Sequence, residues 1–318
     1  MIINILLLIV GFVLLIKGAD FFVDGASATA QNFKVSKMLI GLTIIAFGTS
    51  APEFAVSMQA LAEGSTDMVL GNVIGSCIMN ILLILGIAAV IRPINIKSNT
   101  IKKELPLTML ISTLLAVLFL DININGGISN EITRSDAIVI LLFFSIFLYY
   151  LIALAKKKKE DNDEEEIIEL PLWKALLLII LGLAGILIGS DMVVENASII
   201  AYYLGMSERI VSLTIIALGT SLPELMTTIV SSKKGEQDLL VGNIIGSNIF
   251  NICIVLGIPV AIYGTITPAS FEMIDIIMLV ASSVALFIFS ETSRRITKTE
   301  GVLMLMAFAV YYTLVFVK

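Results

Sequence analysis

Apolar runs as long as a membrane is thick recur from one end of this chain to the other. About 20 such residues carry a helix across the hydrocarbon core, and the runs fall at 2–23, 36–62, 68–91, 104–120, 136–155, 172–194, 207–232, 239–263, 272–290 and 301–317. The 318 residues therefore read as an all-α polytopic membrane protein with ten transmembrane helices. Short loops join them, and no large soluble domain fits between. Composition agrees, with 58% hydrophobic and 14% charged residues, where soluble domains average about half and about a quarter.

Several classes drop out at once. A net charge of -6 excludes a basic nucleic-acid surface, and the absence of histidine removes imidazole ligands and the commonest proton shuttle. Cys77 and Cys253 lie inside apolar runs, where a disulfide framework has no purpose. The first run has one basic residue, Lys17, and lacks the charged start and small-residue cleavage site of a signal peptide, so it reads as a first span.

The one polar stretch, Lys156 to Glu169, is four lysines followed by a mostly acidic run, and reads as a solvated linker. It divides the chain into residues 1–155, a linker at 156–171, and residues 172–318, with five spans on each side. Cytoplasmic loops are enriched in Lys and Arg. With the linker inside, the inner loops hold fifteen basic residues, among them Lys34, Lys37, Lys102, Lys103, Lys233, Lys234, Arg294 and Arg295, and the outer side only Arg134, Arg209 and Lys318. Orientation follows: a multi-pass protein of the cell membrane, linker cytoplasmic, both termini outside.

The halves are copies. GLTIIAFGTSAPEF at Gly41 recurs as SLTIIALGTSLPEL at Ser212, and GNVIGSCIMNILLILG at Gly71 recurs as GNIIGSNIFNICIVLG at Gly242, both 171 residues on. Ungapped, 11–86 and 182–257 share 30 of 76 residues, far beyond chance. Five spans separate equivalent positions, so the second copy must cross the membrane in the opposite direction. Two inverted five-helix repeats are the mark of secondary transporters, whose ion sites lie near the midplane at interrupted helices.

Glu53 and Glu224 are the least expected residues within the spans. A charge at that depth costs about 2.5–3.5 kcal/mol even on the lenient insertion scale, and no Arg or His lies mid-span to offset it. A bound metal ion is the expected counter-charge. Pro52 and Pro223 stand one residue earlier, and proline breaks a helix by removing a donor and clashing one turn back. Carbonyls freed near Ala46 and Thr49, and near Ala217 and Thr220, would then face a cation. Ser50 with Glu53, and Ser221 with Glu224, also fit a capping box that restarts a helix. A second cluster, Asn72, Ser76 and Asn80 with its repeat Asn243, Ser247 and Asn251, runs along one helical face and offers neutral oxygens that suit hard cations. Packing between helices is the competing role for Asn72 and Asn243, and Gly71, Gly75, Gly242 and Gly246 beside them suit close helix contact. Asp20, Asp24, Asp191 and Glu195, near span ends, read as interfacial.

At these residues the chain resembles the calcium/cation antiporter superfamily, prokaryotic sodium/calcium exchanger type, which carries a G-T-S-x-P-E/D signature followed by G-N-x-x-G-S-x-x-x-N/D. Both occur twice, at Gly48 to Glu53 and Gly71 to Asn80, then at Gly219 to Glu224 and Gly242 to Asn251. The resemblance implies that Glu53 and Glu224 ligate calcium with the carbonyls of Thr49 and Thr220. It implies sodium sites at Ala46, Ser50 and Ser76 and at Ala217, Ser221 and Ser247, with Asn80 and Asn251 completing the cluster. It further implies a first and sixth span that slide as a gate. Potassium-dependent relatives carry Asp where Asn251 stands, so the resemblance disfavours potassium coupling, and its G-T-S-x-P-E motif leans to sodium over protons as the driving ion. The expected activity is exchange of calcium for sodium by alternating access, with proton/calcium antiport and a cation channel as alternatives. The expected partners are calcium and sodium ions and the lipid bilayer, with no cofactor, no nucleic acid and no obligate protein partner. An enzyme is not expected: an intramembrane hydrolase lacks a nucleophile paired with a base.

Overall fold

The computed structural model describes residues 1–127, 129–156, 170–206, 211, 215, 217–268 and 273–317. Its helices are α1 (Ile2–Phe33), α2 (Lys37–Thr49), α3 (Ala51–Ala62), α4 (Thr66–Ile91), α5 (Glu104–Phe119), α6 (Arg134–Lys156), α7 (Leu172–Tyr203), α8 (Leu222–Lys234), α9 (Gln237–Tyr263), α10 (Met273–Ser293) and α11 (Lys298–Val317). Among the described residues seven helices are long and apolar enough to cross a membrane, or eight if α2 and α3 count as one span bent by 44°. The bend falls at Ser50, two residues before Pro52, whose missing N–H and ring disfavour a helix continuing through that turn. Helix α5, at 16 residues, is about 24 Å long, and most of the linker and the start of the seventh expected span lie outside the described residues.

Two compact units form, one from 1–52 and 157–243, the other from 53–156 and 244–318. Each draws on both sequence halves. In the first unit α1 packs along α7, backbone against backbone. A Cβ added to Gly182 would sit 2.4 Å from the Phe22 nitrogen, one on Gly18 2.8 Å from the Gly182 carbonyl, and one on Gly189 2.8 Å from the Gly11 carbonyl. Without a hydrophobic drive between helices in lipid, such close approach of small residues is what holds them. Gly11 meeting Gly189 while Gly18 meets Gly182 makes the pair antiparallel. Leu15, Phe22, Val23, Ile186 and Val193 fill the core around it. Helix α8 joins α1 through Lys234, whose Nζ lies 2.7 Å from Asp24 Oδ1 and 3.4 Å from Asp20 Oδ1. That contact occupies two of the four carboxylates read as interfacial; Asp191 and Glu195 are exposed.

In the same unit Gly41 of α2 crosses the start of α9. A Cβ on Gly242 would lie 2.8 Å from the Met38 carbonyl, as the small-residue reading of that face expects. Gly75 differs: among the described residues a Cβ there would meet nothing within 4 Å, so it makes no close helix contact with them.

The second unit sets α5 against α10 and α11 against α4. Ser112 and Ser283, 171 residues apart, face each other at 3.0 Å. Gly301 on α11 approaches the Gly86 carbonyl, 2.9 Å from an added Cβ. A two-residue antiparallel ribbon, β1 (Ile94–Asn95) with β2 (Arg295–Ile296), ties the ends of these hairpins, with Ile94 paired to Ile296. Both cysteines are buried and free.

Candidate cation site

In the first unit the G-T-S-x-P motif ends α2. The helix widens to a π-helical stretch over Gly41–Ile45, regains a normal turn at Ala46–Thr49, and stops at Ser50 with φ -82° and ψ 3°. A π turn inserts a residue and turns the following side chains, which is why such turns gather at functional sites. The Thr49 hydroxyl lies 3.1 Å from the Ile45 carbonyl and 3.2 Å from Asn243 Oδ1, and the Asn243 amide donates to Thr228 Oγ1 at 3.5 Å. The Ser50 hydroxyl donates to Glu224 Oε1 at 3.3 Å. Glu224 is fully buried in the first turn of α8, just after Pro223. There the positive end of the helix lowers the cost of its charge. Before it, Ala217–Gly219 forms a single turn whose Gly219 carbonyl accepts from Ser190 Oγ at 2.9 Å, and Thr220 lies in the following turn.

In the second unit Glu53 is likewise fully buried in the first turn of α3. Its main-chain carbonyl accepts from the Asn72 amide at 2.9 Å, and the same amide donates to Ser57 Oγ at 3.0 Å. Ser76, Asn80, Ser247, Asn248 and Asn251 are all buried. The Asn80 amide donates to Asn248 Oδ1 at 3.0 Å. Second and third π-helical stretches, Met79–Leu85 and Asn251–Leu256, coincide with Asn80 and Asn251.

Two expectations change. Ser221 precedes α8 without a side-chain cap, and the Ser50 hydroxyl donates to Glu224, a bond that leaves its oxygen still able to accept. The Ala46 carbonyl is not released by the break, since it accepts the Ser50 amide at 3.0 Å. The Thr49 hydroxyl lies 3.4 Å from the same oxygen. Asn72 and Asn243 bond across helices to Ser57 and Thr228, residues that are themselves 171 apart. Ser57, Thr228 and Asn248 were missed from the sequence. Ser57 and Thr228 each lie one turn beyond a motif glutamate, on its face, and that spacing was the available signal.

Long apolar helices that bury carboxylates, amides and hydroxyls at helix breaks define a membrane ion transporter. The "Sodium/calcium exchanger protein" family model matches residues 3–153 and 174–317. The sodium/calcium exchanger MaX1 of Methanosarcina acetivorans is 31% identical over 99% of both chains. The inner membrane protein YrbG of Escherichia coli (strain K12) is 37% identical over 98% of this chain and 96% of its own. The solved sodium-calcium exchanger NCX_Mj superposes with a TM-score of 0.83 at 32% identity, covering 100% of this chain and 99% of that one. The chain belongs to the sodium/calcium exchanger family, within the calcium/cation antiporter superfamily, and is a multi-pass membrane protein.

Proposed function

We propose that the protein exchanges calcium for sodium by alternating access, extruding calcium as sodium enters. The observation that carries this reading is the pair of fully buried glutamates, Glu53 and Glu224, each opening a helix restarted after proline, one in each copy of the repeat. Two carboxylates balance one divalent ion, so calcium is the cargo they suit. The Thr49 and Thr220 carbonyls join them as calcium ligands. Ala46, Ser50, Ser76, Ala217, Ser221 and Ser247 offer the oxygens for sodium, and Asn80 and Asn251 complete the set. The names of MaX1 and NCX_Mj support the choice of ions. Calcium-45 uptake into proteoliposomes tests it. An outward sodium gradient should drive uptake, and a proton gradient or no gradient at all should not.

The two inverted five-helix repeats, ten spans in all, belong to the same proposal. Contacts that the repeat maps onto each other support it: Gly11 meets Gly189 and their counterparts, Gly182 and Gly18, meet in turn, while the equivalent Ser112 and Ser283 face each other. With the linker cytoplasmic, a cysteine placed at Ser65 should label from outside and one at Lys234 from inside. Labelling of both from one side would sink the inverted arrangement.

Potassium should not be required. With asparagine at both 80 and 251, two glutamates supply the charge, enough for one calcium ion without a monovalent companion. Asn251→Asp adds a buried carboxylate that should recruit a further cation or take up a proton. Its uptake should therefore gain a dependence on potassium or on pH that the native protein lacks. Strict potassium dependence of the native protein would overturn this assignment.

A further inference from the structure

Asn248 is 1% exposed, and both ends of its side chain are committed within the second unit. Its Nδ2 donates to the Cys77 main-chain carbonyl at 3.3 Å, and its Oδ1 accepts from Asn80 Nδ2 at 3.0 Å. The direction of this relay is forced. A main-chain carbonyl can only accept, so Asn248 must turn its NH2 to Cys77 and its oxygen to Asn80. Asn80 must then give its own NH2 to Asn248, and its oxygen is left as the open end. The reverse flip would set oxygen against oxygen. Among the described residues Asn80 Oδ1 is buried without a hydrogen-bond partner, a condition that costs about 1–3 kcal/mol unless a ligand supplies the contact.

The other repeat lacks this relay. Cys77 stands at the position equivalent to Asn248, and a thiol is a weak acceptor. Accordingly Asn251, the counterpart of Asn80, has neither its amide nitrogen nor its oxygen bonded among the described residues. We infer that Asn248 is a positioning residue that holds the Asn80 amide with its oxygen, not its NH2, presented to the transported cation. This rests on the reading of Asn80 as a ligand given above. It makes the two halves of the site unequal, the Asn80 oxygen preset and the Asn251 amide free to turn.

The test is a double-mutant cycle read in sodium-driven calcium-45 uptake. Asn248→Leu keeps the volume and removes both hydrogen bonds. It should raise the half-saturating calcium concentration about tenfold, equivalent to ~1.4 kcal/mol, with the maximal rate changed less than twofold. In an Asn80→Ala background, itself weaker for calcium, the same substitution should add nothing. An equal shift in both backgrounds, or no shift in either, overturns the positioning role. If Asn80→Ala alone leaves the calcium dependence native, the ligand reading itself fails, a different outcome from the first. Should Asn248→Leu not insert, Asn248→Cys, the residue its counterpart position already packs, serves in its place with the same expected shift.

Discussion

Glu53→Gln and Glu224→Gln should each reduce sodium-driven calcium uptake to the background of empty vesicles while the variants insert and purify like the native protein. Glutamine is nearly isosteric and can still accept the Ser50 hydroxyl that bonds Glu224, so packing survives. What disappears is a charge whose burial costs about 2.5–3.5 kcal/mol. In calcium-free detergent the variants should therefore melt no lower than the native protein. With one carboxylate left, a divalent ion keeps an unbalanced charge in a low-dielectric site, where balance matters most. Melting curves with and without calcium check the second half of the expectation: calcium should raise the native midpoint, as a ligand of the folded state must, and leave both variants unmoved. Near-normal flux in either correctly inserted variant would remove that glutamate from the site.

Gly182→Ala should be among the most damaging single-methyl additions in the chain. Its Cβ would fall 2.4 Å from the Phe22 nitrogen and 2.7 Å from the Gly18 carbonyl. Both are backbone atoms of α1, which can yield only if the whole helix moves, and overpacking of this kind costs about 1–3 kcal/mol or more. The same change at Gly75 meets nothing within 4 Å among the described residues and supplies the control. Thermal unfolding of the purified proteins should show a clear drop for Gly182→Ala and none for Gly75→Ala. Equal midpoints would mean that α1 and α7 are not held by backbone contact.

Much of the architecture was legible in one dimension because its causes are local or periodic. Hydrocarbon thickness sets the length of an apolar run, so the helices were readable to within a few residues at most ends. Helices α1 and α7 ran on to Phe33 and Tyr203, beyond the apolar stretches, because amphipathic turns can continue a helix past the point where hydropathy falls. The break at Ser50, just ahead of Pro52, follows from a missing N–H and a ring clash within one turn. The duplication is a property of the sequence alone, and it singled out Glu53 and Glu224 because the same improbable charge stands in both copies.

Which buried polar groups bond to which was decided only by the folded chain. The bonds from Thr49 to Asn243, from Ser50 to Glu224 and from Asn80 to Asn248 join residues 194, 174 and 168 apart, and no spacing rule reaches that far. Ser50 donates its hydroxyl to a carboxylate in the other copy, a charged acceptor that no local pattern points to. The π-helical stretches at Gly41–Ile45, Met79–Leu85 and Asn251–Leu256 are equally invisible in sequence, since their widened hydrogen bonds hold only where packing over-determines the backbone. The division into compact units likewise cuts across the two sequence copies. Repetition marks how a chain was built, whereas a compact unit is set by which helix faces find contact, and here the glycine faces of α1 and α7 find it in each other.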